Sequence, residues 1–196
     1  VGYYLDEAPI DGDTAAPMGR LYDRAQVEIL RGPQSTLWGN GAMGGVVRYM
    51  PNLPDLSEVR AGARVGYSST EGGDDGNYGD VFLSVPLIED TLGFRLVGSR
   101  EQLGGWQDIL NGPEDFNEAE LRDFRATVLW EPSANWRARF MYSNNEAEQD
   151  GGLLLSGLFP DDTITTSSPR DFNNTEMEVF SGVLEYTGFE RFDIVT

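Results

Sequence analysis

The sequence predicts a mostly β fold. A short glycine-rich first part is followed by antiparallel up-and-down strands of a transmembrane β-barrel, about seven strands of a larger barrel. From Glu58 onward apolar residues alternate with polar or small ones, which is the periodicity of strands. The predicted connections alternate between short turns and long polar loops. Aromatic residues stand near both strand ends, as they do at the two interfaces of an outer-membrane barrel.

The composition excludes several classes of function. The 196 residues include no cysteine and no histidine. A disulfide framework, a thiolate zinc site and a Ser-His-Asp triad are therefore impossible within this sequence. The net charge of −19 disfavours nucleic-acid binding and fits solvated acidic loops, with cationic ligands or metal ions as the alternative. We expect no enzymatic activity and no cofactor.

The first part of the chain has short elements. They are predicted to be strands at 1–5, 27–30 and 44–49, a loop at 6–19, a turn at 31–33 and one helical turn at 35–38. Pro51 and Pro54 cannot continue a hydrogen-bonded ladder, so they mark a linker. We therefore predict two domains, 1–55 and 56–196.

The second part contains seven stretches that alternate with period two. The predicted strands are Val59–Tyr67, Val81–Leu87, Leu92–Ser99, Phe124–Trp130, Trp136–Ser143, Phe180–Tyr186 and one that starts at Phe189. Short turns are predicted at 88–91, 131–135 and 187–188, and long loops at 68–76, 102–120 and 147–175. Long loops at one strand end and short turns at the other are typical of outer-membrane barrels.

A soluble antiparallel β-sandwich, for example a secreted carbohydrate-binding module, is the alternative for this part, because its strands alternate in the same way. A sandwich would bury the apolar stripes against each other in a dry core. Its outer face would then carry the arginines of the polar stripes: Arg60, Arg64, Arg95, Arg125, Arg137 and Arg139. Loops as long as 147–175 are uncommon in compact domains, which favours the barrel.

One motif adds a family resemblance. The stretch Val27–Val47, VEILRGPQSTLWGNGAMGGVV, closely resembles the plug-domain signature of TonB-dependent outer-membrane receptors. Tyr4–Ile10 resembles the preceding plug strand, and Leu83–Arg95 resembles the first periplasmic hairpin of that family. The residues that carry the signature are Glu28, Arg31, Gly32, Pro33, Gly39, Gly44 and Gly45. The sequence departs from the family pattern at Arg48, where asparagine is frequent, and at Glu7-Ala8, where a glycine-containing turn is common.

The resemblance implies the C-terminal part of a plug domain, followed by the first strands of a barrel of about 22 strands. It also implies energy-coupled uptake of a scarce ligand, most often a ferric siderophore, with cobalamin or an oligosaccharide as alternatives. The implied location is the bacterial outer membrane, in contact with its lipid. The implied partner is the inner-membrane TonB complex, acting through a TonB box. Both chain ends lie inside strand patterns, and neither a TonB box nor a signal peptide is present. We therefore expect a segment that does not transport by itself.

The resemblance also suggests site residues. The plug loop after Ile10 points outward in the family, so the predicted ligand contacts there are Asp11, Asp13, Thr14 and Met18. Trp106, on a long polar loop, either stacks on the ligand or anchors the interface. The six arginines are expected to face the lumen, where they either dock the acidic plug or only make the lumen polar. Glu28 and Arg31 are expected to pair with charged wall residues or to remain in solvent.

Three further patterns are weaker. Residues 39–44 match GxGxxG, but β-branched residues and Pro51 follow, so the helix that a dinucleotide site needs is missing. Asp11-Gly12-Asp13 and Asp74–Asn77 faintly suggest calcium loops without the required ligand series. Carboxylates at 114, 115 and 118 lie in an acidic loop, where a solvated surface is the better interpretation than a catalytic pair.

Overall fold

The described residues form two main sheets and one short helix. The computed structural model describes residues 1–10, 21–39, 42–109, 113–150, 163–164, 172–189 and 194–195. Four of the predicted ligand contacts, Asp11, Asp13, Thr14 and Met18, lie outside the described residues. No helix in the described part of the chain is both long and apolar enough to span a membrane.

The first sheet is built from the glycine-rich part of the chain. Its elements are β1 (Gly2–Leu5), β2 (Ala8–Ile10), β3 (Arg24–Arg31), α1 (Ser35–Trp38) and β4 (Gly45–Pro51). The strand order is β2-β1-β4-β3, in which β1 and β4 run parallel and the other pairs are antiparallel. Tyr4, Ala42 and Val46 form a small core, against which Leu30 and Trp38 pack. The predicted strands and the single helical turn of this part are therefore present.

Gly45 explains one part of the glycine-rich signature. Its φ is +135°, and a Cβ there would lie 2.5 Å from the carbonyl oxygen of Leu30 on the neighbouring strand. Gly32 and Gly39 also have positive φ, whereas Gly44 does not. Since no helix follows Gly44 and β4 begins at Gly45, the segment lacks the strand–glycine–helix context of a dinucleotide site.

The second sheet has seven strands, as the period-two pattern predicts. Its strands are β5 (Arg60–Ser68), β6 (Gly76–Ile88), β7 (Leu92–Leu103), β9 (Ala119–Ser133), β10 (Trp136–Asp150), β12 (Phe172–Tyr186) and β13 (Ile194–Val195). They are antiparallel and pair in chain order. Two short strands from the long loops, β8 (Asp108–Ile109) and β11 (Thr163–Ile164), pair with each other in parallel.

The two faces of the seven-stranded sheet differ in chemistry. We call the face that contacts the first sheet the inner face and the opposite one the outer face. The outer face carries exposed large apolar side chains: Val65, Val81, Leu83, Phe124, Trp130, Phe140, Phe180 and Leu184. The inner face carries buried polar side chains: Asp80, Ser84, Arg95, Ser99, Arg125, Thr127, Arg139, Ser143 and Asn145. The apolar stripes therefore do not meet in a dry two-sheet core, and the sandwich arrangement is absent from the described residues.

Aromatic residues gather at both ends of the outer face. At the short-turn end, the rings of Trp136 and Tyr186 lie 4.6 Å apart, and Tyr186 also meets Phe189 at 5.0 Å. Toward the long loops, Tyr142 contacts Phe124 and Phe180. Beyond this second group the strands continue but the outer face becomes charged, with Arg122 next to Glu120, Glu146 and Glu148. The apolar surface is therefore a band between two aromatic groups.

The change from one sheet to the other falls between Pro51 and Arg60. The connecting segment is fixed rather than free, because the Asp55 amide donates to Ser84 Oγ at 2.8 Å. A Cβ on Gly93 would meet both Pro54 and Leu56, so the linker lies close against β7. The change of sheet is compatible with a domain boundary after residue 55, which remains a prediction.

Candidate functional site

The first candidate feature is a buried ion pair at Asp6, between the two sheets. Asp6 follows β1 in the turn to β2, and its φ is +58°. Its carboxylate accepts hydrogen bonds from Arg139 Nε at 3.0 Å and Nη2 at 2.6 Å, and from Ser181 Oγ at 3.2 Å. The side chains of Asp6 and Arg139 are 2% and 10% exposed. Because β10 and β12 supply the donors, this carboxylate joins the first sheet to the seven-stranded sheet, which we call the wall.

A second buried carboxylate, Asp23, lies just before β3 and also has a positive φ, +56°. Arg95 binds it through both Nε and Nη2, and the Nε distance is 2.9 Å. Arg125 Nη2 donates to Asp23 Oδ2 at 2.7 Å and to the Asp23 carbonyl oxygen at 2.8 Å. Asn52 Nδ2 adds a hydrogen bond of 2.9 Å. One aspartate of the first sheet thus holds two arginines, from β7 and β9.

The environment of Asp23 determines its protonation. Burial raises the pKa of the carboxyl, but the hydrogen bonds from Arg95 and Asn52 and the charge of Arg125 outweigh it and lower the pKa below 3.8. Arg24, the next residue, is also enclosed, and burial together with Arg125 lowers the pKa of its guanidinium to about 10. Its Nε and Nη1 are buried without a hydrogen-bond partner among the described residues. The carboxylate of Asp23 therefore lies within an excess of positive charge.

An apolar cluster completes the contact between the sheets. Leu5 and Ile10 from the first sheet pack with Met141 from β10 and Val179 from β12. Tyr3, Ala8, Tyr49 and Met177 lie at the edge of the same cluster. The interface between the two sheets, which we call the seam, thus combines one apolar patch with two buried ion-pair centres, one at Asp6 and one at Asp23.

The other three predicted arginines bind elsewhere. Arg64 pairs with wall residue Asp80 at 2.7 Å and stacks between the rings of Tyr22 and Tyr78, at 5.0 and 5.3 Å. Arg60 pairs with Asp55 and Glu58 in the linker. Arg137 pairs with Glu131 near the short-turn end. The role of all six arginines in docking a plug remains a prediction.

The two charged signature residues, Glu28 and Arg31, have different surroundings. Glu28 pairs with Arg48 of the adjacent β4 at 3.1 Å, so its partner belongs to the first sheet and not to the wall. Arg48 lies directly opposite Glu28 in the β3–β4 register, which accounts for this pair. Arg48 also binds Glu7 and the carbonyl oxygen of Asp6, and it stacks on Trp38. Arg31 and Pro33 are exposed at the end of β3.

Trp106 lies on the long loop between β7 and β9, with 38% of its surface exposed. Its backbone amide donates to Asn117 Oδ1 at 2.8 Å, and Gly73 of a second long loop packs against it. Asp115 and Glu118 lie in the same loop, and no group of three or more acidic residues within the described part of the chain is arranged to hold a metal ion. Whether Trp106 binds a ligand remains a prediction.

Several solved structures share this arrangement of strands. The ferric yersiniabactin uptake receptor FyuA from Yersinia pestis superposes with a TM-score of 0.75 at 23% identity, over 95% of this chain and 29% of the receptor. The siderophore receptor PiuA from Acinetobacter baumannii gives 0.75 at 15% identity, over 98% and 27%. The chain has the fold of a siderophore-receptor segment. The ferric-catecholate import receptor Fiu from E. coli K12 agrees, with 0.73 at 17% identity, over 98% and 30%.

These matches confirm the predicted fold class and agree with the family resemblance of the motif. The chain spans less than a third of the length of each of these receptors. No family model matches the sequence. Asp6 and Asp23 were not among the predicted site residues, because nothing in the local sequence distinguishes them from ordinary turn aspartates. Only the topology brings them to the arginines of the inner face.

Proposed function

We propose that this chain is part of a TonB-dependent outer-membrane receptor that imports a ferric siderophore. Residues 1–55 are the C-terminal part of its plug domain, and residues 56–196 are the first strands of its barrel. The plug closes the pore and rearranges when the inner-membrane TonB complex pulls on it, through a TonB box outside these residues. The protein works as a transporter and not as an enzyme.

One observation carries the proposal. The same sheet exposes an apolar band on its outer face and covers a polar, arginine-rich inner face with a second small sheet. A water-soluble protein would leave a large apolar surface in solvent, which is unfavourable. A lipid bilayer outside and a plug inside satisfy both faces. The aromatic groups at the two edges of the band fit the two membrane interfaces.

The choice of a siderophore rests on similarity. The matched receptors are named for ferric yersiniabactin, ferric catecholate and siderophores, at identities of 23% and below. Cobalamin and oligosaccharides are the other substrates that the family resemblance implies. Asp11, Asp13, Thr14, Met18 and Trp106 are the proposed ligand contacts.

Iron-limited cells that produce the full-length protein provide the test. We expect the protein in the outer-membrane fraction, induction by iron starvation, and uptake of a radioactive ferric siderophore that is lost when TonB is deleted. A panel of hydroxamate, catecholate and carboxylate siderophores identifies the class. Uptake of labelled cobalamin or maltooligosaccharide with no ferric siderophore transported would replace the substrate assignment. Recovery of the protein in the soluble fraction would overturn the proposal that it is an outer-membrane receptor.

A further inference from the structure

We propose that Arg95, Arg125 and Arg139 form an anion-binding track on the inner face of the wall. In the closed state the track is occupied by the carboxylates of Asp23 and Asp6. When the two sheets separate, an oxyanion group of the transported ligand takes their place. The inference rests on the proposed function only in that it needs a plug that moves. It adds a chemical class for the ligand, an anion that presents two oxygens to a guanidinium.

The geometry at Arg95 and Arg139 is that of anion recognition. Each donates two hydrogen bonds to one carboxylate, from Nε and from Nη2. Two parallel N–H donors match carboxylate and phosphate oxygens, which a lysine ammonium does not. All 14 basic residues of the chain are arginines. Asp6 and Asp23 therefore occupy positions that other anions of the same shape fit.

The charge of the inner face changes when the first sheet leaves. Asp6 and Asp23 are the carboxylates that bind the three arginines, and both belong to the first sheet. The wall keeps Asp80, which already accepts from Arg64 and Ser99. It also keeps Asp123, two residues from Arg125 on β9. Three guanidinium groups on three neighbouring strands, β7, β9 and β10, then lose the carboxylates that bind them.

Stabilisation of the fold does not by itself explain why buried ion pairs are used at Asp6 and Asp23. Burying two charges carries a desolvation penalty, so apolar pairs of similar size are often at least as stable as a buried ion pair. The proposed track explains the ion pairs. Its arginines are neutralised by the aspartates in the closed pore and are available to the ligand in the open pore.

The experiment measures the electrostatics of the inner face with cysteine reagents. In the full-length protein, with any other cysteine replaced by serine, Thr127→Cys serves as the reporter. Thr127 is 1% exposed and lies opposite Arg95 in the β7–β9 register. Ser143→Cys, 2% exposed and opposite Arg125, is the second reporter if the first variant does not fold. Each is labelled with sulfonatoethyl or trimethylammonioethyl methanethiosulfonate, which are similar in size and opposite in charge.

We expect slow labelling in the otherwise unchanged protein and faster labelling in the Asp23→Asn background. In that background the ratio of the anionic to the cationic labelling rate should rise about tenfold, because a cationic cleft concentrates anions. Arg95→Gln with Arg125→Gln in the same background should remove most of this preference. Arg137→Gln, an inner-face arginine that pairs with Glu131, is the matched control and should leave the preference unchanged.

An anionic preference that survives the loss of Arg95 and Arg125 would overturn the track. Labelling that Asp23→Asn does not accelerate would overturn the role of Asp23 as its occupant. Neither readout uses transport. If ferric siderophore uptake is absent and the arginine-dependent preference is present, the proposed substrate is wrong and the track stands for another anion.

Discussion

At the scale of single residues, Asp23 links protonation to docking of the two sheets. Its pKa is lowered from 3.8 because Arg95, Asn52 and Arg125 outweigh the effect of burial. A carboxylate with a lowered pKa contributes stability that is present above its unfolded value and lost as the pH falls through the folded value. We expect Asp23→Asn to cost about 3–5 kcal/mol near neutral pH, as breaking a buried ion pair does. The cost should shrink as the pH falls below 3.8.

Asp90→Asn is the control for this measurement. Asp90 also has a positive φ, +54°, but its side chain is exposed in the turn between β6 and β7. Its loss should change stability by less than about 0.5 kcal/mol. Denaturant unfolding of the full-length protein in detergent, followed by tryptophan fluorescence from neutral pH down to about pH 3, measures both variants. Equal effects of the two substitutions would show that the buried ion pair contributes nothing.

Gly45 carries a second prediction at this scale. Gly45→Ala forces an alanine to φ +135° and brings its Cβ to 2.5 Å from Leu30 O, a backbone atom that cannot step aside. The positive φ alone costs roughly 1–3 kcal/mol. Gly44→Ala is the matched control, because its Cβ would meet only Val1 Cγ2 at 3.7 Å. We expect reduced folded yield for the first variant and unchanged yield for the second. A reversed order would contradict the register of β3 and β4.

The arginines show how far single residues could be predicted. Arg95, Arg125 and Arg139 were recognised from the polar phase of a period-two pattern, which fixes the face of each side chain. Their partners were not recognised, because the pairs Arg95–Asp23 and Arg139–Asp6 are separated by 72 and 133 positions. No local rule connects residues that far apart, and only the docking of one sheet on the other brings them together.

At the scale of strands, the outer face of β10 distinguishes a membrane protein from a soluble one. Phe140 is 60% exposed in the middle of the apolar band. Phe140→Arg should cost about 2–4 kcal/mol if lipid covers this face, and almost nothing if water does. Asn144→Arg is on the same face four residues further along, beyond Tyr142 and beside Glu176, and should cost at most about 1 kcal/mol. Unfolding from lipid vesicles measures the difference, and equal values would contradict a lipid-facing band.

The strand ends show where sequence patterns stop being informative. β10 was predicted to end at Ser143 but continues to Asp150, and β12 begins at Phe172 instead of Phe180. In these extensions the outer face is polar, with Asn144, Glu146, Glu176 and Glu178 on it, so the outward apolar stripe ends although Met177 and Val179 pack on the inner face. The backbone ladder nevertheless continues, from Asn144 opposite Glu178 to Asp150 opposite Phe172. Alternation reports the burial of one face, not hydrogen bonding, so strands that project beyond the apolar band were predicted too short.

At the scale of the whole molecule, charge differs between the two faces of the seven-stranded sheet and along the length of its strands. Arg95, Arg125 and Arg139 of the inner face are neutralised by aspartates of the first sheet, while carboxylates gather on the outer face beyond the aromatic residues. The net charge of −19 therefore does not describe the seam, where positive charge is in excess. At physiological ionic strength, exposed charges are largely screened beyond about 8 Å. Under the proposed function, the acidic rim and the buried arginines would therefore act on a ligand at different stages.

The largest-scale prediction concerns the edges of the seven-stranded sheet. Among the described residues, β5 and β13 are its outermost strands, and this chain covers less than a third of each matched receptor. Unpaired strand edges in hydrocarbon leave backbone N–H and C=O groups unsatisfied, at a cost of several kcal/mol for each group. We therefore expect residues 1–196 alone to need detergent, to aggregate on its removal and to take up no ferric siderophore in liposomes. The full-length protein should insert as a monomer. Transport by the 196 residues would mean that these edges close on each other or on a second copy, and the larger barrel would then be wrong.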